Sequence, residues 1–167
     1  MGTTLGTLTV DTGDVVLRRA CVDDLPALVA LLADDPLGSS REAAADSDLA
    51  PYRRAFDQID ADAGQLLVVG VAGGEIVGTL QLTFIPGLSR RGALRAQIEA
   101  VRVRSGHRGA GLGAALIGWA IGEAGRRGCG LVQLTTDKSR ADAHRFYERL
   151  GFVASHVGLK LVLDGSS

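Results

Sequence analysis

Cysteine is scarce in this sequence of 167 residues, which has only two, Cys21 and Cys129. Two cysteines are too few for a disulfide framework, and these two lie too far apart in sequence to form a paired metal-ligand motif. We therefore expect both to be core thiols of a protein in a reducing compartment. The chain is long enough to bury an ordinary core without such cross-links.

An excess of charge of one sign is also absent, because 18 Lys and Arg residues face 19 Asp and Glu residues, for a net charge of −1. This balance excludes bulk attraction to nucleic acid or to acidic membranes. No apolar stretch is long enough to span a bilayer, and the first residues lack a basic segment followed by an apolar run. The three histidines have no metal-ligand spacing. We expect a cytoplasmic protein without nucleic-acid, membrane or metal partners.

Glycine, by contrast, is abundant, and it concentrates in one basic turn at residues 104–113, Arg-Ser-Gly-His-Arg-Gly-Ala-Gly-Leu-Gly. An apolar strand precedes this turn and an amphipathic helix follows it. Glycines let backbone N–H groups point inward, the helix adds its positive N-terminal end, and Arg108 adds a full charge. The pattern predicts a site for phosphate or pyrophosphate. The alternative is that the glycines only permit close packing of helix on sheet.

Two well-known phosphate loops do not match this turn. A Walker loop requires Gly-Lys-Ser/Thr, but Gly111 is followed by Leu112. The dinucleotide fingerprint G-x-G-x-x-G also differs, because Gly109, Gly111 and Gly113 occur at every second position. One feature favours a dinucleotide nonetheless: Asp137 follows the next predicted strand, where a ribose-binding acid would lie.

A third type of loop matches in two places. Residues 108–113 fit the pattern Arg/Gln-x-x-Gly-x-Gly/Ala, and residues 143–152, Ala-His-Arg-Phe-Tyr-Glu-Arg-Leu-Gly-Phe, fit Ala-x-x-Phe-Tyr-x-x-x-Gly-Phe. Both motifs occur in the order, and with the intervening helix and strand, that the GNAT superfamily shows. The chain therefore resembles the Gcn5-related N-acetyltransferases, closely so over Ala96 to Leu163.

The resemblance implies an α/β fold in a single domain. Its central sheet would be mixed and mostly antiparallel, with about six or seven strands including a parallel splayed pair, and about four flanking helices. We expect residues 1–14 to be a flexible segment, 15–163 the domain and 164–167 a tail. The elements predicted along the chain are a strand at Val15–Arg19, helices near 24–33 and 52–61, a hairpin of 65–72 and 76–85 joined by Gly73-Gly74, strands at 94–103 and 131–136, a helix at 141–149 and a last strand at Leu159–Leu163.

Glu99 is the candidate general base. An alkylammonium titrates near pH ~10, so an amine must lose a proton before it can attack a thioester. A carboxylate inside a strand costs folding free energy unless it is solvated, forms an ion pair or has a functional role. Alternation places Glu99 on one face with Gln97, Val101 and Val103. The alternative is a structural ion pair with Arg95 or Arg102.

The remaining site residues follow from the resemblance. It implies that acetyl-CoA is the co-substrate and that Val101, Arg102 and Val103 bind it, Val101 and Val103 through their main chains. The pyrophosphate would bind the loop formed by Arg108, Gly109, Ala110, Gly111, Leu112 and Gly113. Tyr147 would protonate the departing thiolate, as a phenol with an ordinary pKa of about 10 can. Arg140 stands where many relatives have a cofactor-binding Asn. A homodimer is also expected from the resemblance.

Three functions stay open at this point. The first is an acetyl-CoA-dependent N-acetyltransferase, the second a non-catalytic acyl-CoA-binding module, and the third a nucleotide-binding oxidoreductase. The amine acceptor is also open. Asp34 to Ala63 carries eight acids against three arginines, which suits a polyamine or an aminoglycoside, whereas Arg90 and Arg91 suit an acidic amine.

Overall fold

A computed structural model of the chain describes residues 2–34 and 49–163. The predicted tail, 164–167, lies outside the described residues. Contacts divide the chain into a first unit, Met1–Leu134, and a second unit, Thr135–Ser167. Each unit is described separately below.

The first unit contains a six-stranded sheet in the order β1 to β6. Neighbouring strands are antiparallel except for β5 and β6, which are parallel and joined through a helix. This confirms the mixed, mostly antiparallel sheet and its crossover. The strands are β1 Thr4–Val10, β2 Gly13–Arg19, β3 Gln65–Ala72, β4 Glu75–Ile85, β5 Arg95–Val103 and β6 Leu131–Leu134.

The N-terminal residues were expected to be flexible, and for residues 4–10 this expectation is wrong. They form β1, which pairs with β2 in a hairpin. Thr and Val suit a strand, and pairing satisfies backbone groups that a frayed segment would leave to water. The Thr9 hydroxyl also donates a hydrogen bond to the Asp14 carboxylate at 2.8 Å.

The hairpin between β3 and β4 forms as predicted. Ala72 lies opposite Glu75, and the two residues between them are Gly73 at φ 57° and Gly74 at φ 86°. Two successive positive φ angles are what a type I′ turn needs, and glycine adopts them without a steric penalty.

Helix α3, Leu112–Arg126, packs on one face of the sheet. Its buried side chains recur at the spacing predicted for an amphipathic helix: Leu112, Leu116, Ile117, Ala120 and Ala124. The helix approaches β4 closely at Gly78, where an added Cβ would lie 3.1 Å from a methyl group of Leu116.

Helices α1, Leu25–Ala33, and α2, Ala50–Ala61, pack on the opposite face. One apolar cluster joins them to the sheet: Ala20, Leu25, Leu28, Leu31, Phe56, Val69 and Ile76. Phe56 points inward, as expected from the sequence. Cys21 and Cys129 are half-buried free thiols.

A buried ion pair fixes the start of α1. Arg18 donates two hydrogen bonds to the Asp24 carboxylate, at 2.6 and 2.7 Å, and the Cys21 N–H donates a third at 2.7 Å. Burial alone would raise the pKa of Asp24, but these hydrogen bonds outweigh it and hold the pKa below its ordinary value. Asp24 thus ties β2 to α1 as a charged carboxylate.

The second unit contains one helix, α4 Ala141–Arg149, in its described part. The Tyr147 ring contacts the rings of Phe146 and Phe152, with centroids 5.1 and 5.9 Å away. The strand predicted at Leu159–Leu163 is wrong, because these residues form no regular structure. A strand needs a neighbour for its backbone hydrogen bonds, and the described residues of this unit include no other strand. Within the described ranges, no helix is long and apolar enough to cross a membrane.

Candidate functional site

A β-bulge interrupts β5 next to Glu99. Gln81 of β4 lies opposite Glu99, but Thr79, two residues earlier on β4, lies opposite Arg102, three residues later on β5. The extra residue is accommodated at Ala100, whose φ is 52°, a left-handed value that is uncommon for alanine. The bulge therefore reverses the alternation of side chains along the second half of β5.

This reversal corrects one expectation about the site. Directly opposite residues share a face of the sheet. Gln81 and Thr79 lie on one face of β4, so Glu99 and Arg102 share it, whereas Val103 pairs with Gly78 on the other face. Gln97 is on the face of Glu99 as predicted, but Val101 and Val103 are not, because strict alternation ignores an inserted residue. The side chain of Glu99 therefore lies on the face that α1 and α2 cover.

Strand β5 extends beyond its parallel partner β6. Pairing between β5 and β6 ends at Ile98 and Leu134, although β5 continues to Val103. Two carbonyls beyond this point accept hydrogen bonds from side chains. Arg102 Nη1 donates to the Val101 oxygen and Arg108 Nε donates to the Val103 oxygen, both at 2.9 Å. The parallel pairing of β5 and β6 is confirmed.

Glu99 is exposed near the middle of its strand. Across the described ranges 2–34 and 49–163, its carboxylate forms no hydrogen bond or ion pair with another side chain. The ion pair with Arg95 or Arg102 that was considered as its structural role is thus not formed. An unpaired, solvated carboxylate can accept a proton from a bound molecule or from water.

The glycine-rich loop runs from β5 into α3. Gly109 and Gly111 have φ angles of 81° and 80°, and Gly111 is the N-cap of α3. A Cβ added to either glycine would meet no atom within 4 Å. These two glycines therefore serve the left-handed backbone of the loop, and not close packing against the sheet.

The loop presents backbone N–H groups at the start of α3. Ala115 N–H donates to the Gly111 oxygen at 3.0 Å, so it makes the first hydrogen bond of the helix. The N–H groups before it in the first turn have no intrahelical acceptor. With the positive end of the helix dipole, they form the kind of surface that binds phosphate oxygens.

Arg108 does not point freely into this loop. Its guanidinium donates to the backbone oxygen and the carboxylate of Asp34, the latter at 3.0 Å. The Ser105 N–H donates to the same carboxylate at 3.1 Å. Asp34, at the end of α1, thus accepts from a guanidinium and a backbone N–H as a phosphate would. Sequence reasoning did not identify this contact, because 74 residues separate Asp34 from Arg108.

Three predicted residues lie in the second unit. Arg140 is the N-cap of α4, where its carbonyl accepts a hydrogen bond from the His144 N–H at 3.1 Å. Tyr147 is half-buried in the aromatic contacts described above. The Asp137 carboxylate accepts hydrogen bonds from the Ser139 N–H at 2.9 Å and from its hydroxyl at 2.7 Å. Asp137 therefore closes a local turn.

A family comparison agrees with these features. The model of the acetyltransferase (GNAT) family matches residues 26–152. The aminoalkylphosphonate N-acetyltransferase of Salmonella typhimurium is 37% identical over 83 residues, which are 50% of this chain and 53% of that protein. The glucosamine 6-phosphate N-acetyltransferase of Trypanosoma brucei brucei is 38% identical over 90 residues, 54% of this chain and 59% of that protein. The matched segment spans little more than half the length of these curated relatives.

A solved structure matches over most of its length. The crystal structure of a transcriptional regulator from Bacillus halodurans C-125 superimposes with a TM-score of 0.86 and 51% sequence identity. The match covers 89% of this chain and 99% of that one.

Proposed function

Because this chain belongs to the GNAT family of acetyltransferases, we propose that it transfers the acetyl group of acetyl-CoA to a primary amine. The amine nitrogen attacks the thioester carbonyl carbon, a C–N bond forms and the C–S bond breaks. The products are an N-acetyl amide and the free thiol of CoA. The observation that carries this proposal is the carboxylate of Glu99, which has no partner among the described side chains. It lies on β5, which leads into the glycine-rich loop at the start of α3.

In this proposal Glu99 is the general base. It accepts the proton of the ammonium group, directly or through water, because only the neutral amine is a nucleophile. Its exposure and its lack of a partner among the described side chains leave both oxygens of the carboxylate available as acceptors. Its pairing with Gln81 places this side chain on the face covered by α1 and α2.

The splayed part of β5 and the loop after it would hold acetyl-CoA. The main chain at Val101 and Val103 is available to the pantetheine arm once the guanidinium groups of Arg102 and Arg108 move from their carbonyls. The N–H groups of residues 109–113 would bind the pyrophosphate. Arg140 is a further candidate for a phosphate contact. A cytoplasmic location and a homodimer stay predictions from composition and resemblance.

Tyr147→Phe is expected to lower kcat at least about tenfold while acetyl-CoA affinity changes little, because the phenol hydroxyl would protonate the departing thiolate. Steady-state kinetics and calorimetry with acetyl-CoA measure the two quantities. Phe146→Leu is the matched control, since it alters the adjoining aromatic contact and keeps the hydroxyl. Unchanged kcat in the phenylalanine variant would remove Tyr147 from the mechanism.

Ala110→Glu is expected to weaken acetyl-CoA binding about tenfold or more, because a negative charge in the loop would lie within several ångströms of the pyrophosphate. Ala110→Gln has nearly the same shape without the charge and should weaken binding much less. Calorimetry at low and at high salt checks both variants, and the difference between them should shrink at high salt. Equal affinities at low salt would place the pyrophosphate elsewhere.

A second candidate function is an acyl-CoA-binding module without turnover. The 51% identical structure described as a transcriptional regulator favours this candidate. A thermal-shift titration with acetyl-CoA, CoA, NAD and ATP, followed by an amine screen that detects free thiol, separates the alternatives. Thiol release with an amine supports the transferase, and a shift with CoA compounds without release supports the module. The oxidoreductase has no support beyond Asp137, which closes a turn.

A further inference from the structure

A cavity of about 150 Å³ lies between the helices α1 and α2 and the sheet, beside the bulge of β5. The strands contribute Leu67, Gln81 and Ala100 to its lining, and the helices contribute mainly apolar side chains, among them Val29, Tyr52 and Phe56. The cavity belongs entirely to the first unit of the chain.

The cavity adjoins the carboxylate proposed as the base. Ala100 follows Glu99 in the chain, and Gln81 lies directly opposite Glu99 on the neighbouring strand. Opposite residues of an antiparallel pair have Cβ atoms about 5 Å apart on the same face. A molecule in the cavity can therefore extend one end towards Glu99.

The lining is chemically apolar. Among the described residues that line the cavity there is no arginine, lysine or acid, and the polar ones are Tyr52, Thr79 and Gln81. The Thr79 hydroxyl already donates to the Val68 carbonyl at 2.8 Å, and the Gln81 amide donates to the Gln65 side chain at 3.0 Å. A phosphate or phosphonate placed here would lose its hydration without gaining a cation. An apolar group placed here would lose no comparable hydration free energy.

The volume of the cavity indicates the size of the group that it can bind. An apolar cavity of about 150 Å³ is known to take up a molecule of the size of benzene. We propose that this cavity binds the apolar part of the acceptor, so that the preferred substrate is a primary amine carrying a phenyl-sized or branched alkyl group. This inference rests on the proposed acetyl transfer. It separates this chain from relatives named for phosphonate and phosphate amines.

Acceptor preference tests the proposal. We expect kcat/KM for 2-phenylethylamine and isoamylamine to exceed that for ethanolamine and 2-aminoethylphosphonate by about 30-fold or more, since hydrophobic pockets discriminate by roughly 10- to 200-fold per group. Free CoA thiol is measured at a fixed saturating concentration of acetyl-CoA. A preference for the phosphonate or for ethanolamine would overturn the proposal while leaving acetyl transfer established.

A variant that fills the cavity tests whether the acceptor preference arises there. Ala55 is an exposed residue of α2 that lines the cavity, and Gln58 of the same helix does not line it. Ala55→Leu should raise KM for 2-phenylethylamine about tenfold or more, a much larger change than its effect on kcat/KM for ethanolamine. Gln58→Leu adds a leucine to the same helix and should leave both unchanged. Equal effects of the two variants would overturn the assignment.

Binding without turnover separates the two proposals. If no amine is acetylated, acetyl transfer fails, and the cavity is tested by thermal shift with 2-phenylethylamine in the presence of CoA. The cavity would be supported as an amine-binding site if the parent and Gln58→Leu show a rise in Tm and Ala55→Leu shows none. Absence of a rise in the parent protein would overturn it.

Discussion

Glu99→Gln is expected to lower kcat about 100-fold or more at neutral pH, because general-base catalysis typically contributes 10²- to 10⁴-fold. Glutamine has the size of glutamate but cannot take a proton from the ammonium group. The acetyl-CoA affinity should change little, since Glu99 lies before the splayed segment that would hold the cofactor. Steady-state kinetics with an accepted amine and calorimetry with acetyl-CoA check both expectations.

The pH dependence of this variant provides a second measurement. Without a base, only the neutral fraction of the amine reacts, and this fraction rises tenfold per pH unit up to an amine pKa of about 10. The rate of Glu99→Gln should therefore rise more steeply above neutral pH than the rate of the parent. Glu75→Gln is the matched control, because Glu75 is an exposed carboxylate near Arg104, at 3.6 Å, at the far end of β4. Parent-like kcat in Glu99→Gln would exclude Glu99 as the base.

Asp24→Ala is expected to lower the free energy of unfolding by about 3 kcal/mol, within the range for breaking a buried ion pair. The change leaves the Arg18 guanidinium, whose side chain is 16% exposed, without its carboxylate, and the Cys21 N–H without its acceptor. Urea unfolding followed by circular dichroism measures the loss. A change below about 1 kcal/mol would show that water replaces the carboxylate at little cost.

The same ion pair predicts an acid dependence. The pKa of Asp24 is lowered in the folded state, so its contribution to stability is present above the unfolded pKa of about 3.9. That contribution is lost as the pH falls through the lower folded value. Between pH 4 and pH 2 the free energy of unfolding of the parent should therefore fall. That of Asp24→Ala should fall less, because this variant lacks the carboxylate at every pH. Asp57→Ala, which removes an exposed partner of Arg53 at 3.3 Å, should change stability by less than about 1 kcal/mol throughout.

Much of the fold could be predicted because its signals are local. Helix α3 follows from apolar residues spaced three and four apart, and the hairpin at Gly73 and Gly74 follows from two glycines between two apolar runs. The glycine-rich turn before α3 followed from residues 108–113 alone. In each case a few neighbouring residues fix the backbone angles, so that distant parts of the chain do not alter the outcome.

The two ends of the chain were harder to predict, since a strand depends on its partner. The Gly- and Thr-rich composition of residues 1–14 favours a frayed segment, yet residues 4–10 pair with β2. Residues 159–163 alternate like a strand but form none, as the described residues of their unit provide no neighbouring strand. Propensity alone decides neither case, because the hydrogen bonds of a strand come from another segment.

The sequence determined the family resemblance, the glycine-rich loop and the identity of Glu99 as a carboxylate placed within a strand. The tertiary structure decided which residues of β5 share a face with Glu99, because the bulge at Ala100 is visible only as a shift in pairing with β4. It also brought Asp34 to Arg108 and formed the apolar cavity between α1, α2 and the sheet. Side-chain identity and local backbone preference depend on neighbouring residues in the sequence. Strand register and the shape of a cavity depend on contacts between segments that folding brings together.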